Sequence, residues 1–192
     1  MRRACYKMKR ILSIIVILIA APIFSKEVAS LYEYTKTWKD QNNETVQLSK
    51  FKDSYVIIGM VYTGCPHACP LTISKVQSIE TYFKKAKILN YKLVLASFDV
   101  KNDTPQHLNS YMKKRKLDFN QWTFLSTDRD STARELSVLL GISYKDIGDG
   151  DFSHSNVITL LDKNGLILHK IDNLNANLND FADKVLENEK SK

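Results

Sequence analysis

Cysteine is scarce in this chain: there are three in 192 residues, and the first, Cys5, stands in a basic leader that cannot share a folded domain with the other two. Only Cys65 and Cys69 are left for a folded domain to use. A disulfide closing so small a loop would constrain the unfolded chain little, so a purely structural bridge is the weaker reading and a redox pair or a metal site the stronger one. A charge-free run of full membrane-spanning length is also missing. Ile11 to Phe24 holds 14 residues against the roughly 20 that a spanning helix needs. No Ala-x-Ala signature marks a cleavage point, although Ser25 and Ala29 with Ser30 supply small residues there. The lysine clusters at 84–87 and 113–116 lack interleaved aromatics, which reads as solvated helix faces and excludes nucleic acid as the expected partner.

The net charge is +7, and its position matters more than its size. Arg2, Arg3, Lys7, Lys9 and Arg10 carry five of those charges before any acidic residue appears, leaving +2 for the rest. A basic cluster followed by an apolar stretch has the form of an export signal. Residues 1–30 are therefore expected to be a signal peptide or an N-terminal anchor that spans with tilt, and both stay open. In either case the positive-inside rule keeps Arg2 to Arg10 in the cytoplasm and puts everything after about Lys26 on the far side. The working domain, residues 31–192, is expected to be extracytoplasmic. The lack of a long Arg/Ser-rich transit segment favours a bacterial periplasm.

Residues 32–48 alternate around Asp40-Gln41-Asn42-Asn43, the pattern of an N-terminal β-hairpin. Tyr55 to Tyr62 is apolar almost throughout, as in a strand buried on both faces. Ile73, Val76, Ile79, Phe83 and Ala86 recur at helical spacing, so a helix is expected from about Pro70 to Lys87. Strands at 92–99 and 122–125 and helices at 104–116 and 127–140 follow, then an irregular stretch from Gly141 to Ser153. Two strands around the turn Asp162-Lys163-Asn164-Gly165, a linker at 173–179 and a last helix close the chain. The order predicts an α/β protein with a thioredoxin-like fold, an N-terminal β-hairpin and an inserted helix-strand-helix.

That topology puts Cys65 and Cys69 where the first long strand meets its helix. Both sulfurs then lie near a helix N-terminus, whose unpaired N–H groups favour thiolate for attack or for binding a soft metal. Two features separate those uses. Thiol–disulfide exchangers of this fold usually carry Cys-x-x-Cys, and this chain has one residue more. Thioredoxins place a cis-proline before the strand that begins here near Val157, and this segment, Phe152-Ser153-His154-Ser155-Asn156, has a histidine and no proline. Two thiolates and one imidazole form a three-coordinate set that suits copper(I) and accepts copper(II), whereas zinc normally takes a fourth ligand.

Tyr62-Thr63-Gly64-Cys65-Pro66-His67-Ala68-Cys69-Pro70, Ser97-Phe98-Asp99 with Asp103-Thr104-Pro105, and Phe152-Ser153-His154-Ser155 together resemble the Sco/SenC family of copper chaperones, over roughly Tyr32 to Leu186. The resemblance implies copper ligands at Cys65, Cys69 and His154, with Asp99 as a nearby carboxylate that tunes the site. Capping of the following loop is an equal alternative for Asp99. It also implies a carrier, not a turnover enzyme, that passes copper to a receiving subunit of cytochrome c oxidase. Another copper carrier or a thioredoxin-like reductase would be a further partner, and the leader would contact the membrane. The alternative is a thiol-disulfide oxidoreductase in which Cys65 and Cys69 reduce client cysteines for metallation. His67 stands where the family usually has an acidic residue, and it is left out of the ligand set. His107 and His169 have ordinary surface explanations.

Overall fold

The computed structural model describes residues 30–65, 68–173 and 176–191, without the side chains of Ala68 and Cys69. The leader with Cys5, the residue His67 and two positions of the expected 173–179 linker lie outside the described residues. Among the described residues no helix is long and apolar enough to cross a membrane.

The chain opens with the hairpin β1 (Trp38–Asp40) and β2 (Thr45–Val46), as the alternating pattern predicts. Asp40 builds its turn by accepting the N–H groups of Asn42 and Glu44 on one carboxylate oxygen. The strand β3 (Tyr55–Val61) is buried at every position, because Val, Ile and Met on both its faces leave it no water-facing side. The helix α1 (Ala68–Lys85) then packs the face formed by Ile73, Val76, Ile79 and Phe83, all at most 1% exposed. It starts two residues before Pro70, which costs nothing, since a missing N–H in the first turn breaks no intrahelical bond.

Next come β4 (Tyr91–Ser97), α2 (Pro105–Lys114), β5 (Trp122–Ser126) and α3 (Asp130–Leu140). Thr104 caps α2 by accepting His107 N–H, and α3 stops at Gly141, whose φ of +69° suits glycine. The buried Glu80 carboxylate of α1 accepts the Tyr91 hydroxyl at 3.3 Å and the Trp122 indole N–H at 3.1 Å, and pairs with Lys84 at 2.7 Å. One charged group thus ties α1 to two strands with its oxygens satisfied.

The stretch expected to be irregular holds a second, two-stranded sheet, β6 (Tyr144–Gly148) with β7 (Asp151–His154). Most of its side chains face water, so no hydrophobic alternation announced it; backbone pairing and a tip of positive-φ residues, Gly148, Asp149 and Gly150, make it. β8 (Ile158–Leu161), β9 (Ile167–Ile171) and α4 (Asn179–Lys190) complete the chain.

The large sheet runs β2-β1-β5-β4-β3-β8-β9. β3, β4 and β5 are parallel, with β1 antiparallel to β5 and β8 antiparallel to β3. This is the thioredoxin-like arrangement with the expected hairpin and the α2-β5-α3 insertion. It gives the domain two poles. The C-terminal ends of the parallel strands, where α1, α2 and α3 begin, form one; the strand beginnings, where α1 and α2 end, form the other.

The chain enters at the second pole. Leu31 N–H bonds Gly165 O at 3.0 Å, and Ser30 Oγ donates to Asn164 O at 2.5 Å. Gly165 has φ +83°, and a Cβ there would lie 2.6 Å from Ser30 Oγ and 2.7 Å from the Tyr32 ring. Gly165→Ala should therefore destabilise the domain by about 2–4 kcal/mol through left-handed strain and displacement of the entering chain. Urea unfolding monitored by tryptophan fluorescence measures it.

Candidate metal centre

β3 ends at Val61, and the chain turns through Thr63 and Gly64 to Cys65, whose N–H reaches Tyr62 O at 3.5 Å. Two bonds from α2's leading segment hold this turn. The Asp103 carboxylate accepts Thr63 N–H at 2.9 Å and also the Thr63 hydroxyl. It takes the Ser97 hydroxyl at 2.5 Å as well, so the ends of β3 and β4 are tied to one buried group. Burial pushes the Asp103 pKa up, and the hydrogen bonds from Ser97 and Thr63 offset part of that rise.

Cys65 is 9% exposed. Cys69 belongs to the first turn of α1, where the helix dipole and unpaired N–H groups favour an anionic sulfur; its side chain lies outside the described residues.

His154 is the last residue of β7 and is half-buried. Its position follows from an aromatic cluster. Phe98, just beyond β4, stacks on Tyr144 at 4.8 Å and meets Phe152 edge-on at 5.2 Å, so both strands of the small sheet rest on it. Tyr62 packs against Phe98 at 5.3 Å and Phe152 at 5.1 Å. The imidazole of His154 lies within the same group, 5.1 Å from Phe98 and 6.0 Å from Tyr62 by ring centres. Its Nδ1 is 3.2 Å from Ser155 O. Donation of an Nδ1 proton to that carbonyl puts the ring's lone pair on Nε2, the tautomer a metal-binding imidazole uses.

Tyr62 touches both halves of the site. Its hydroxyl donates to Asp151 Oδ1 at 3.2 Å and accepts Phe152 N–H at 3.5 Å. Burial, above all, raises the Tyr62 pKa far beyond the phenolic range, and a hydrogen bond with Cys65 raises it further. The phenol stays neutral and bridges the cysteine loop to the β6–β7 hairpin.

Asp99 behaves as a loop cap. Its carboxylate accepts the N–H groups of Lys101 and Asn102, each at 3.1 Å, and the Asn102 side-chain amide at 2.8 Å. The carboxylate that reaches the cysteine loop is Asp103, four residues on. Sequence reasoning quoted Asp103 only as part of a motif and gave Tyr62 no role; a buried hydroxyl and a buried carboxylate beside a cysteine loop become visible only when β3 and β4 are side by side. His107 sits on α2, and His169 on β9 packs against Phe181 at 5.0 Å, both apart from this cluster. Among the described residues no group of three or more His, Cys, Asp or Glu side chains is gathered to hold a metal ion. The donors that fit one are the buried Cys65 sulfur and the His154 imidazole, both in contact with Tyr62, with Cys69 four residues further along the sequence in the first turn of α1.

A thioredoxin-like fold with two cysteines at the entry to its first crossover helix and a histidine on a hairpin packed against Phe98 and Tyr62 defines the class. A family model described as SCO1/SenC matches residues 26–188, and the chain belongs to that family. The SCO1 protein homolog of Bacillus subtilis (strain 168) is 23% identical over 134 residues, covering 69% of this chain and 69% of its own length. Arabidopsis thaliana ScoI, solved with copper bound, superposes with a TM-score of 0.70, 17% identity and coverage of 81% of this chain and 96% of its own. BsSco, described as a member of the Sco family of cytochrome c oxidase assembly proteins with a disulfide switch, gives 0.69, 20% identity, 82% and 92%. At these identities the structural likeness shows the fold.

Asp103 generates a pH test. Its pKa is raised above the ordinary 3.8 in the folded chain, so the folded state holds the proton more tightly than the unfolded one. Stability contributed by this group is therefore lost as pH rises from about 4 through the raised value. Asp103→Asn should flatten that part of the stability–pH curve, and Asp103→Ala should cost about 2 kcal/mol by stranding the Thr63 and Ser97 donors. Urea titrations between about pH 3.5 and 7 read both.

Proposed function

We propose that this protein is an extracytoplasmic copper carrier that binds one copper ion through Cys65, Cys69 and His154 and passes it to a copper-receiving subunit of a respiratory oxidase. The observation that carries the reading is the meeting of Cys65 and His154 on one side chain, Tyr62, at the mouth of the first βα connection. Membership of the SCO1/SenC family and the copper-bound state of a ScoI relative support copper as the cargo. Soft thiolates with a borderline imidazole match copper(I) and accept copper(II). Three ligands leave room for an acceptor thiolate to enter, so the ion can leave by stepwise exchange.

The protein's own groups have separable tasks. The start of α1 favours thiolate, Tyr62 orients Cys65, and the aromatic cluster holds the imidazole against Tyr62, the side chain that also meets Cys65. Carrying copper requires deprotonated thiols and neutral imidazole, so affinity falls as pH falls.

Thiol–disulfide exchange is the second reading, favoured by the placement of Cys69 in the first turn of α1. There one thiolate attacks a client disulfide and the other cysteine resolves the mixed disulfide, leaving two client thiols and a Cys65–Cys69 bond. That chemistry has no need of the imidazole.

Copper titration separates the two. His154→Ala should weaken copper binding at least about tenfold and remove the nitrogen scatterer from the X-ray absorption spectrum while leaving client-disulfide reduction intact. Unchanged affinity and an unchanged spectrum in the variant would defeat the carrier reading.

A further inference from the structure

The charges of the folded domain are sorted between its two poles. Around the candidate metal centre lie Asp128, Asp130, Asp146, Asp149 and Asp151, answered by Lys101, Arg129, Arg134 and Lys145. The opposite pole carries the lysine-rich ends of α1 and α2. Lys52, Lys85, Lys87, Lys113, Lys114 and Lys116 are exposed there and make no ion pair among the described residues. Asp53 and Asp118 offset part of this charge, and Glu189 is engaged by Lys163 at 2.8 Å.

These ends share one surface for topological reasons. Helices that connect parallel strands run antiparallel to them, so α1 and α2 both finish where β3, β4 and β5 begin. Tyr55 N–H bonds Asn90 O at 3.2 Å and Lys92 Nζ donates to Asn120 O at 2.7 Å, tying the connection after each helix to the start of the neighbouring strand. Leu89, 77% exposed, stands among the lysines, and Leu186, 39% exposed, lines the same 350 Å³ cleft.

The chain enters at this pole too, through the bonds of Ser30 and Leu31 to the Asn164–Gly165 turn. The charge-free segment Ile11–Phe24 ends six residues before Ser30, and the chain between can reach at most about 20 Å. A leader held in a bilayer therefore holds this face next to the lipid.

We infer that the lysine-rich pole is a docking surface for an anionic lipid bilayer, which lays the domain on its membrane with the candidate metal centre facing away. Lysines gather at the headgroups and the exposed leucines enter the interface. The inference rests on the leader lying in the membrane and is independent of copper.

The test uses the full chain in nanodiscs of neutral phosphatidylcholine or of phosphatidylcholine with phosphatidylglycerol. Lysine acylation by a membrane-impermeant ester is mapped by mass spectrometry, without copper. Lys87, Lys113, Lys114 and Lys116 should react at least about threefold more slowly on the anionic discs, with Lys101 and Lys145 unchanged. About 1 M NaCl, where the Debye length is about 3 Å, should remove the difference. The exposed-surface variant Lys113→Glu/Lys114→Glu/Lys116→Glu should lose the protection at Lys87. Equal rates on both discs, protection at Lys101 and Lys145 instead, or failure to associate with the anionic discs would overturn the inference. Protection of the basic pole by added duplex DNA, with none from anionic lipid, would assign the face to nucleic acid and overturn it as well.

Discussion

The packing of Phe98 between the two strands of the small sheet is the contact on which the site depends. Tyr144 and Phe152 come from opposite strands of the β6–β7 hairpin, and both rest on a ring that projects from the end of β4. Without that contact the hairpin is two short, mostly exposed strands, which are marginal in water on their own. With it, His154 is held at the edge of the parallel sheet, where the loop after β3 also delivers Cys65. The site is built by burying aromatic rings, and the donor atoms are carried along.

Asp103 and Tyr62 do the finer work from the two sides. Asp103 is a buried carboxylate with several donors, which fixes the cysteine loop to the neighbouring strand end. Tyr62 is a buried phenol between the loop and the hairpin, neutral because burial opposes its ionisation. Both groups serve copper carriage and thiol exchange equally, so it is the imidazole that distinguishes the two chemistries.

The separation of charge gives these local features a direction. Helix C-termini favour cations by their dipoles, and the parallel sheet gathers two such ends on the face where the chain enters. The acidic hairpin and the site sit at the other end of the strands. A domain with a net charge near neutrality outside its leader thus has one distinctly basic end, a property that its overall charge hides.

The sequence alone determined the alternation of strands and helices, the burial of β3 on both faces, the Cys65–Cys69 spacing, and the histidine standing in a segment without proline. Those are local properties, readable from periodicity and from residue chemistry one segment at a time. It did not disclose the β6–β7 sheet, because strands with exposed side chains carry no hydrophobic period, and it left Asp99 open between loop cap and site carboxylate while giving Asp103 no role of its own. Which of two carboxylates four residues apart meets the cysteine loop depends on how far the loop after β4 turns before α2 begins, and only the packed chain decides that. The same holds for the shared contact of Tyr62 with Cys65 and the hairpin: side chains distant along the chain become neighbours through the sheet's order and the rings that bury against its edge.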